Sequence, residues 1–312
     1  MSERFKQMST STLSRVWDSD LAWSFRHSKT ALISSVLLVV LFGAAIFAPQ
    51  LATQNPFNIA ELELWNSELP PFWVEGGSRD FLLGTDVQAR DVYSSILYGL
   101  RLSLIVGFAS VILAAVIGIS LGLLGGFVGG TVDAVIMRFA DVLLSFPAIL
   151  VALLVNGIAR GILPPSQHQD AAIYVLILAI GLTNWVQYAR TVRGSTMVER
   201  GKEYVQAARI NGISGPGIMF SHIMPNVMGP VLVIATINLG MAVLTEATLS
   251  FLGVGMPATQ PSLGTLIRIG NEYLFSGIWW VVIFPSIVLV VLVLSVNLLG
   301  DWLRDALNPK LR

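Results

Sequence analysis

The residue types that most often carry chemistry in proteins are scarce and scattered in this sequence. It has no cysteine, which excludes disulfides, thiolate metal sites, iron–sulfur clusters and cysteine nucleophiles. Its three histidines lack metal-ligand spacing, and no H-E-x-x-H motif occurs. Gly118-Ile-Ser120-Leu-Gly122 matches the pattern G-x-S-x-G, but that motif requires a strand-to-helix turn and here lies within a long apolar run. We therefore expect neither a catalytic nor a metal site.

A phosphate-binding loop is also missing. Its pattern is G-x-x-x-x-G-K-[ST], and the nearest approach, Gly201-Lys202, lacks both the first glycine and the hydroxyl residue. The formal net charge of zero provides no overall field that would attract nucleic acid. We expect no cofactor bound by this chain and no nucleic-acid partner, so any use of ATP must occur on a partner protein.

A few charged residues stand within or beside apolar runs, where charges are costly and usually functional. Arg138 and Asp141 are three residues apart and can pair on one helix face, which competes with a role in gating. Glu246 follows Pro225 by 21 residues, so a helix would place it about 32 Å further on, near the outer membrane boundary. There an anchoring or hydrogen-bonding role is favoured over contact with a substrate.

The composition determines which elements must position these residues. The chain of 312 residues is 54% hydrophobic and 12% charged, whereas soluble domains contain about 25% charged residues. We predict an all-α polytopic membrane protein with six transmembrane helices. The first, residues 31–48, is near the minimum length for a span and lacks an A-x-A-like cleavage site, so we expect it to be retained. The others are residues 102–132, 142–158, 171–189, 223–245 and 274–300.

The distribution of Lys and Arg predicts the orientation. With the N-terminus inside, 14 of these residues lie on the cytoplasmic side and 5 outside, and the opposite orientation reverses this ratio. Both termini are therefore expected in the cytoplasm. The predicted organisation is a cytoplasmic tail (1–30), the first span (31–48), an external segment (49–101), a five-helix core (102–300) with a cytoplasmic loop (194–225), and a cytoplasmic tail (301–312).

The second predicted span carries small residues at every fourth position: Ala114, Gly118, Gly122, Gly126 and Gly130. In a helix they form one stripe on which a neighbouring backbone can approach closely. Close packing is the favoured interpretation, and a smooth face along which helices slide is the alternative. The last three glycines could instead lie beyond the membrane and mark a turn.

The segment Glu199–Asn226 is the longest polar interruption in the C-terminal half. Glu199 to Asn211 can form a helix with a polar face, which Gly212 would end with a left-handed turn. Ser214 can cap a second short helix with Pro216 in its first turn, and Pro225 would end or kink it. The small Ala207 and Ala208 would let a partner approach closely; a solvated amphipathic loop is the competing interpretation.

Several segments of the sequence resemble those of one family. Gln206-Ala207-Ala208, then Gly212 and Pro225, resemble the EAA loop of ATP-binding-cassette (ABC) importer permeases, with Gln206 in place of the usual Glu. Leu83–Ser103 resembles the segment before the second span of the dipeptide/oligopeptide/nickel permeases, with Ala89 where the family usually has Gly. Similar family segments are Asp141–Pro147, Glu246–Gly253 and Gly300–Pro309; the last two most resemble the C-type subunit of dipeptide permease pairs.

This resemblance implies the type I ABC importer permease fold in a bacterial inner (plasma) membrane. It implies a heterodimer with a homologous second permease subunit, two cytoplasmic ABC ATPase subunits that bind ATP and Mg²⁺, and an extracytoplasmic substrate-binding protein. The loop would couple ATPase motion to the spans through five residues: Gln206, Ala207, Ala208, Gly212 and Pro225. Apart from the resemblance, we hypothesise that the acidic external segment, with Asp86, Arg90 and Asp91, helps to receive the binding protein. The charged residues beside the spans, Arg138, Asp141 and Glu246, are candidates for gating or structural roles.

Two other classes of function are alternatives to an importer permease. A self-contained channel or ion-coupled carrier would be supported by inverted repeats with broken helices at the midplane, and none is apparent in the sequence. A membrane-embedded hydrolase would use Ser120, but no histidine or carboxylate in that span supports it. Within the permease family the substrate stays open among dipeptides, longer peptides, glutathione-like molecules and nickel chelates.

Overall fold

The structure is a computed structural model that describes residues 20–58 and 62–307, with side chains described from residue 22 onward. Most of the predicted N-terminal tail and the last five residues lie outside this range. Within it the chain is helical, and its only β-type pairing is an isolated bridge between Thr85 and Asp91. The prediction of an all-α fold is confirmed.

The helices are numbered in chain order. They are α1 Asp20–His27, α2 Lys29–Ile46, α3 Val92–Val128, α4 Gly130–Leu144, α5 Ala148–Ile162, α6 His168–Arg200, α7 Glu203–Ile210, α8 Met224–Phe251, α9 Leu263–Tyr273 and α10 Trp280–Leu307. Shorter helical turns are Ala48–Leu51, Leu64–Asn66, Pro165–Gln167, Gly215–Gly217, Ile218–Ile223 and Leu274–Ser276.

Five helices of the described chain are long and apolar enough to cross a membrane, and a sixth span results if α4 and α5 count as one bent crossing. We call the end of the bundle that carries α7 the loop end. The opposite end, where residues 52–91 and 252–279 lie, is the far end. The helices α2 and α8 run from the loop end to the far end, and α3, α6 and α10 run back.

The third predicted span, residues 142–158, is wrong as a single straight helix. The chain breaks between α4 and α5, whose axes differ by 93°. Pro147 lies at the N-cap of α5 and has no N–H to continue the preceding helix. Each of the two helices has 15 residues, so each is about 22 Å long, short of the ~30 Å hydrocarbon core.

The bounds of other spans also need correction. The second, predicted as 102–132, begins earlier because Asp91 caps α3: its carboxylate accepts from the N–H groups of Tyr93 and Ser94. The fourth, predicted as 171–189, continues to Arg200, so Arg190 and Arg193 lie on a helix instead of in the loop. The fifth extends beyond residue 245 to Phe251. The sixth, predicted from residue 274, begins at Trp280.

The stripe of small residues on α3 packs against α6. A Cβ atom added at Gly118 would lie 2.4 Å from Tyr188 Cβ, and one added at Gly122 would lie 2.6 Å from the carbonyl oxygen of Ala189. Such distances require the two helix backbones to touch almost directly. Gly130 is not part of this packed stripe. Gly129 and Gly130 have φ values of +72° and +57° and form the turn between α3 and α4.

Candidate functional site

The short surface helix α7 and the turn after it form the most distinctive structure at the loop end. The turn is a Schellman motif: the N–H of Ile213 donates to the carbonyl of Ala208 at 3.1 Å, and that of Gly212 to Arg209 at 3.0 Å. Gly212 has φ +74°, the left-handed conformation that the sequence predicted for it. The backbone therefore ends α7 with its last carbonyl groups satisfied.

A chain of polar contacts fixes α7 to the helices on either side. Glu199, near the end of α6, accepts from Lys202 Nζ and from the Tyr204 hydroxyl, each at 2.6 Å. Asn226 Nδ2, in the first turn of α8, donates to the same hydroxyl at 3.2 Å and to the carbonyl of His222 at 2.8 Å. Burial, together with the neighbouring Glu199 carboxylate, raises the pKa of Tyr204, so its hydroxyl stays protonated and donates.

The C-terminal end of α3 provides the third attachment. Arg200 Nη1 donates to the carbonyl of Phe127 at 2.7 Å, and the Arg209 guanidinium lies 5.5 Å from the centre of the Phe127 ring. A Cβ at Gly215 would lie 3.4 Å from the same ring. The segment formed by α7 and the turn after it therefore contacts three long helices, α3, α6 and α8.

The two alanines predicted to face a partner do so unequally. Gln206 and Ala207 are exposed, as is Gly212. Ala208 is only 4% exposed and packs with Val205 in the core cluster under the helix. The prediction that Ala208 lets a partner protein approach closely is therefore wrong. Its small side chain faces the bundle instead and lets α7 pack closely against it. Ile210, by contrast, is 86% exposed.

Pro225 lies at the start of α8 without interrupting it. The segment from Gly215 to Phe251 runs as one helical element, so Pro225 does not end the helix, which was one of the two predicted alternatives. A π-helical turn, Ile218–Ile223, precedes it and shifts the hydrogen-bond register where the proline lacks its N–H. Ser214 caps this element as predicted, accepting from the N–H of Gly217 with Pro216 in the first turn.

Arg138 and Asp141 do not pair with each other as the sequence suggested. Asp141 accepts instead from Arg190 of α6 at 2.6 Å, in a pair that is about half exposed. A second contact between the same helices joins Arg193 to Asp133: Nε and Nη2 donate to the two carboxylate oxygens, the Nη2 bond at 2.6 Å. The two ion pairs hold α4 against α6 just before the 93° break.

At the far end, the three residues expected to meet a binding protein are buried. Asp86 Oδ2 accepts from Arg90 Nε at 2.7 Å, and Arg90 Nη1 donates to the carbonyl of Ala258 at 2.9 Å. Asp91 accepts from Thr53 Oγ1 at 2.7 Å and from Ser94 Oγ at 2.6 Å. All three residues are at most 3% exposed, so the described structure offers none of them for direct docking. They tie the segments around α3 together.

Glu246 is fully buried where α3, α8 and α9 meet. Its two carboxylate oxygens accept from Ser250 Oγ and Ser103 Oγ, each at 2.7 Å. Ser103 Oγ also accepts from the N–H of Leu263, the first residue of α9, at 3.3 Å. The hydrogen-bonding role predicted for Glu246 agrees with this geometry. The sequence had not identified Ser103, 143 positions away, or Tyr204, whose hydroxyl joins α7 to both neighbours.

Two family descriptions match the chain. "Binding-protein-dependent transport system inner membrane component" matches residues 114–312, and "N-terminal TM domain of oligopeptide transport permease C" matches residues 16–71. A chain of the MetNI methionine ABC transporter, solved in inward-facing conformations, has the same fold with a TM-score of 0.52 at 23% identity. The alignment covers 68% of this chain and 96% of that one.

Curated relatives match over nearly the whole chain. The dipeptide transport system permease protein DppC of Escherichia coli K12 is 40% identical, over 92% of this chain and 91% of the relative. DppC of Pseudomonas aeruginosa, named as a di/tripeptide permease, is 36% identical over 93% and 91%. OppC of Bacillus subtilis, named as an oligopeptide permease, is 34% identical over 94% and 90%. This chain is therefore a multi-pass inner membrane protein and belongs to the family of inner-membrane permease components of binding-protein-dependent ABC transport systems.

Proposed function

We propose that this chain is one half of the transmembrane pathway of an ABC importer for dipeptides or oligopeptides, and that α7 receives the motion of an ATPase subunit. The observation that carries the proposal is the exposed face of α7, which contacts α3 through Arg209 on the Phe127 ring and α6 and α8 through the Tyr204 hydroxyl. The relatives named as dipeptide and oligopeptide permeases support the substrate class.

The exposed face of α7 has the chemistry of a docking surface. Ala207 is small, Gln206 can hydrogen-bond, and Ile210 offers an apolar side chain that is 86% exposed. The exposed face of α7 thus presents a small residue, a hydrogen-bonding amide and an apolar side chain together, and all three can contact a protein partner. With α7 in the cytoplasm, as the Lys and Arg distribution predicts, that partner is a cytoplasmic ATPase subunit.

The assembly we propose is a heterodimer of this chain with a homologous permease, two cytoplasmic ATPase subunits and an external substrate-binding protein. ATP and Mg²⁺ are bound by the ATPase subunits, and this chain has no ATPase site of its own. Closure of the ATPase pair favours one arrangement of the spans over the other, which is a population shift driven by differential binding. The bundle follows α7 because three of its long helices contact that segment.

The test is transport by the assembled importer in proteoliposomes. With ATP inside and peptide-loaded binding protein outside, wild-type vesicles should accumulate a labelled dipeptide, and vesicles without ATP should not. Ala207→Glu should abolish uptake, because it places a charged side chain on the docking face, while membrane insertion and thermal stability are retained. Uptake by this chain alone, driven by an ion gradient, would overturn the proposal in favour of a carrier.

Two variants give matched controls at neighbouring positions. Ala207→Ser changes little in size and should keep transport. Gln206→Glu introduces the residue usual in the EAA loop and should also keep it. Ala208→Glu should fail differently: because Ala208 is 4% exposed, a carboxylate there disrupts the packing under α7 and lowers the folded yield. If Ala207→Glu transports normally with ATPase subunits bound, α7 does not couple them.

A further inference from the structure

A groove lined by apolar side chains follows α3 along its exposed face. One part, about 570 Å³, lies between α2 and α3 and is lined by side chains such as Phe42 and Leu104. The other, about 580 Å³, lies between α3 and α6 and includes Tyr174. Ala109 and Ile112 line both parts, so the two adjoin along α3 and form one long apolar surface.

The length of this groove suits an extended apolar chain. Its lining residues on α3 run from Arg101 to Val116, a rise of about 22 Å along the helix. One leaflet contributes about half of a hydrocarbon core of ~30 Å, so the groove is long enough to hold an acyl chain that spans one leaflet. Ile105, Ile112 and Val116 are 43%, 61% and 59% exposed, so the groove opens to the surroundings of the bundle.

A single charged side chain lines the groove, and it stands at one end. Arg101 is exposed and takes part in none of the ion pairs among the described residues. Ile46, the last residue of α2, lines the groove beside it. Arg101 therefore lies at the level where α2 ends at the far end of the bundle, which is the depth of lipid headgroups.

We propose that this groove binds a phospholipid, with its phosphate on Arg101 and one acyl chain along α3. A guanidinium binds phosphate oxygens through paired N–H donors, and the remaining walls require an apolar occupant. A phospholipid has this arrangement, with one anionic end and one apolar end. A helix of a second permease would cover the apolar wall, but it would satisfy Arg101 only with a carboxylate at a matching position.

The test uses the full chain, purified with the membrane subunits that accompany it and placed in nanodiscs. These contain a photoreactive phosphatidylglycerol with a diazirine on its acyl chain. Illumination should label the α3 peptide around residues 105–112. Arg101→Gln should lower the yield of labelling severalfold, because it removes the paired N–H donors to the phosphate. Ala109→Trp, which fills the region shared by both parts, should lower it as well.

Two controls separate phosphate binding from general apolar contact. Arg79→Gln removes an exposed charge from the same end of the chain, away from the groove, and should leave labelling unchanged. Photoreactive diacylglycerol, which lacks the phosphate, should label wild type and Arg101→Gln equally. Equal phosphatidylglycerol labelling of Arg101→Gln and Arg79→Gln would overturn the proposal. Crosslinking of a photoreactive residue at position 112 to another membrane subunit instead of lipid would also overturn it.

Discussion

Ion pairs occur at both ends of the bundle, and their surroundings differ. At the far end, Asp86–Arg90 is almost fully enclosed, with side chains 4% and 2% exposed. At the loop end, Asp141–Arg190 has side chains 56% and 49% exposed. Removing one partner of an enclosed pair leaves a charge without water, whereas an exposed pair loses little. The Asp86–Arg90 pair therefore fixes its part of the far end, whereas the Asp141–Arg190 pair leaves its part of the loop end open to solvent and to contact.

The largest effect should follow from breaking the enclosed pair. Arg90→Met leaves the Asp86 carboxylate buried and removes the hydrogen bond to the carbonyl of Ala258. We expect a loss of about 3–5 kcal/mol in the free energy of unfolding, measured by denaturation in detergent. Asp86→Asn combined with Arg90→Met should recover part of that loss, because no buried charge then remains. A loss as small as that of an exposed pair would contradict the comparison.

The next largest loss of stability is expected at a glycine that is packed between helices, in comparison with a glycine that is exposed. Gly118→Ala brings a Cβ to 2.4 Å from Tyr188 Cβ and should push α3 and α6 apart, lowering stability by about 1–3 kcal/mol. The same substitution at Gly157 in α5 meets nothing within 4 Å and should be neutral or slightly stabilising. The measurement is the melting temperature of each variant in one detergent. Similar shifts for both would show that the stripe on α3 is not a close contact.

A smaller and more local effect is expected at the turn after α7. Gly212 has φ +74° and open space around it, so Gly212→Ala costs about 1 kcal/mol through backbone strain alone. Hydrogen exchange of the α7 amides should accelerate while that of α3 and α6 stays unchanged. Gly212→Asn, which tolerates the left-handed conformation better, should exchange more slowly than Gly212→Ala. Faster exchange throughout the bundle would show that the turn is not independent of the core.

The features that could be predicted correctly from the sequence are those that depend on residues close together in the chain. Long apolar runs predicted six spans, since a bilayer requires about 20 apolar residues; the described chain has five such helices, or six if α4 and α5 count as one crossing. The left-handed turn at Gly212 and the cap at Ser214 follow from neighbouring residues and appear as predicted. The ion pair between Asp86 and Arg90 was also accessible in principle, because four-residue spacing is a common arrangement for such pairs.

Features that depend on tertiary contacts were missed or misplaced. Which alanine of the pair faces outward depends on where α7 lies on α3 and α8, so Ala208 was assigned to the wrong face. Asp141 had a candidate partner three residues away, but the fold provides Arg190, 49 positions later. The residues on both sides of Pro147 are apolar, so their hydropathy predicts one continuous span. Hydropathy carries no information on the direction of a helix axis, and the change of direction at Pro147 was therefore not predicted. The errors at Ala208 and Asp141 concern interactions between elements distant in sequence, and the error at Pro147 concerns the angle between two adjacent helices.

The smallest effect should come from the exposed pair that joins α4 to α6. Arg190→Met removes the bond to Asp141 but leaves both positions accessible to water, so stability should fall by less than about 1 kcal/mol. The second contact between these helices, Arg193 with Asp133, is less exposed and stays in place. A double-mutant cycle with Asp141→Asn measures the coupling between Asp141 and Arg190, and high salt should weaken it further. A coupling near that of Asp86 and Arg90 would mean that the exposed pair holds its helices as firmly as the enclosed pair, and the proposed difference between the two pairs would fail.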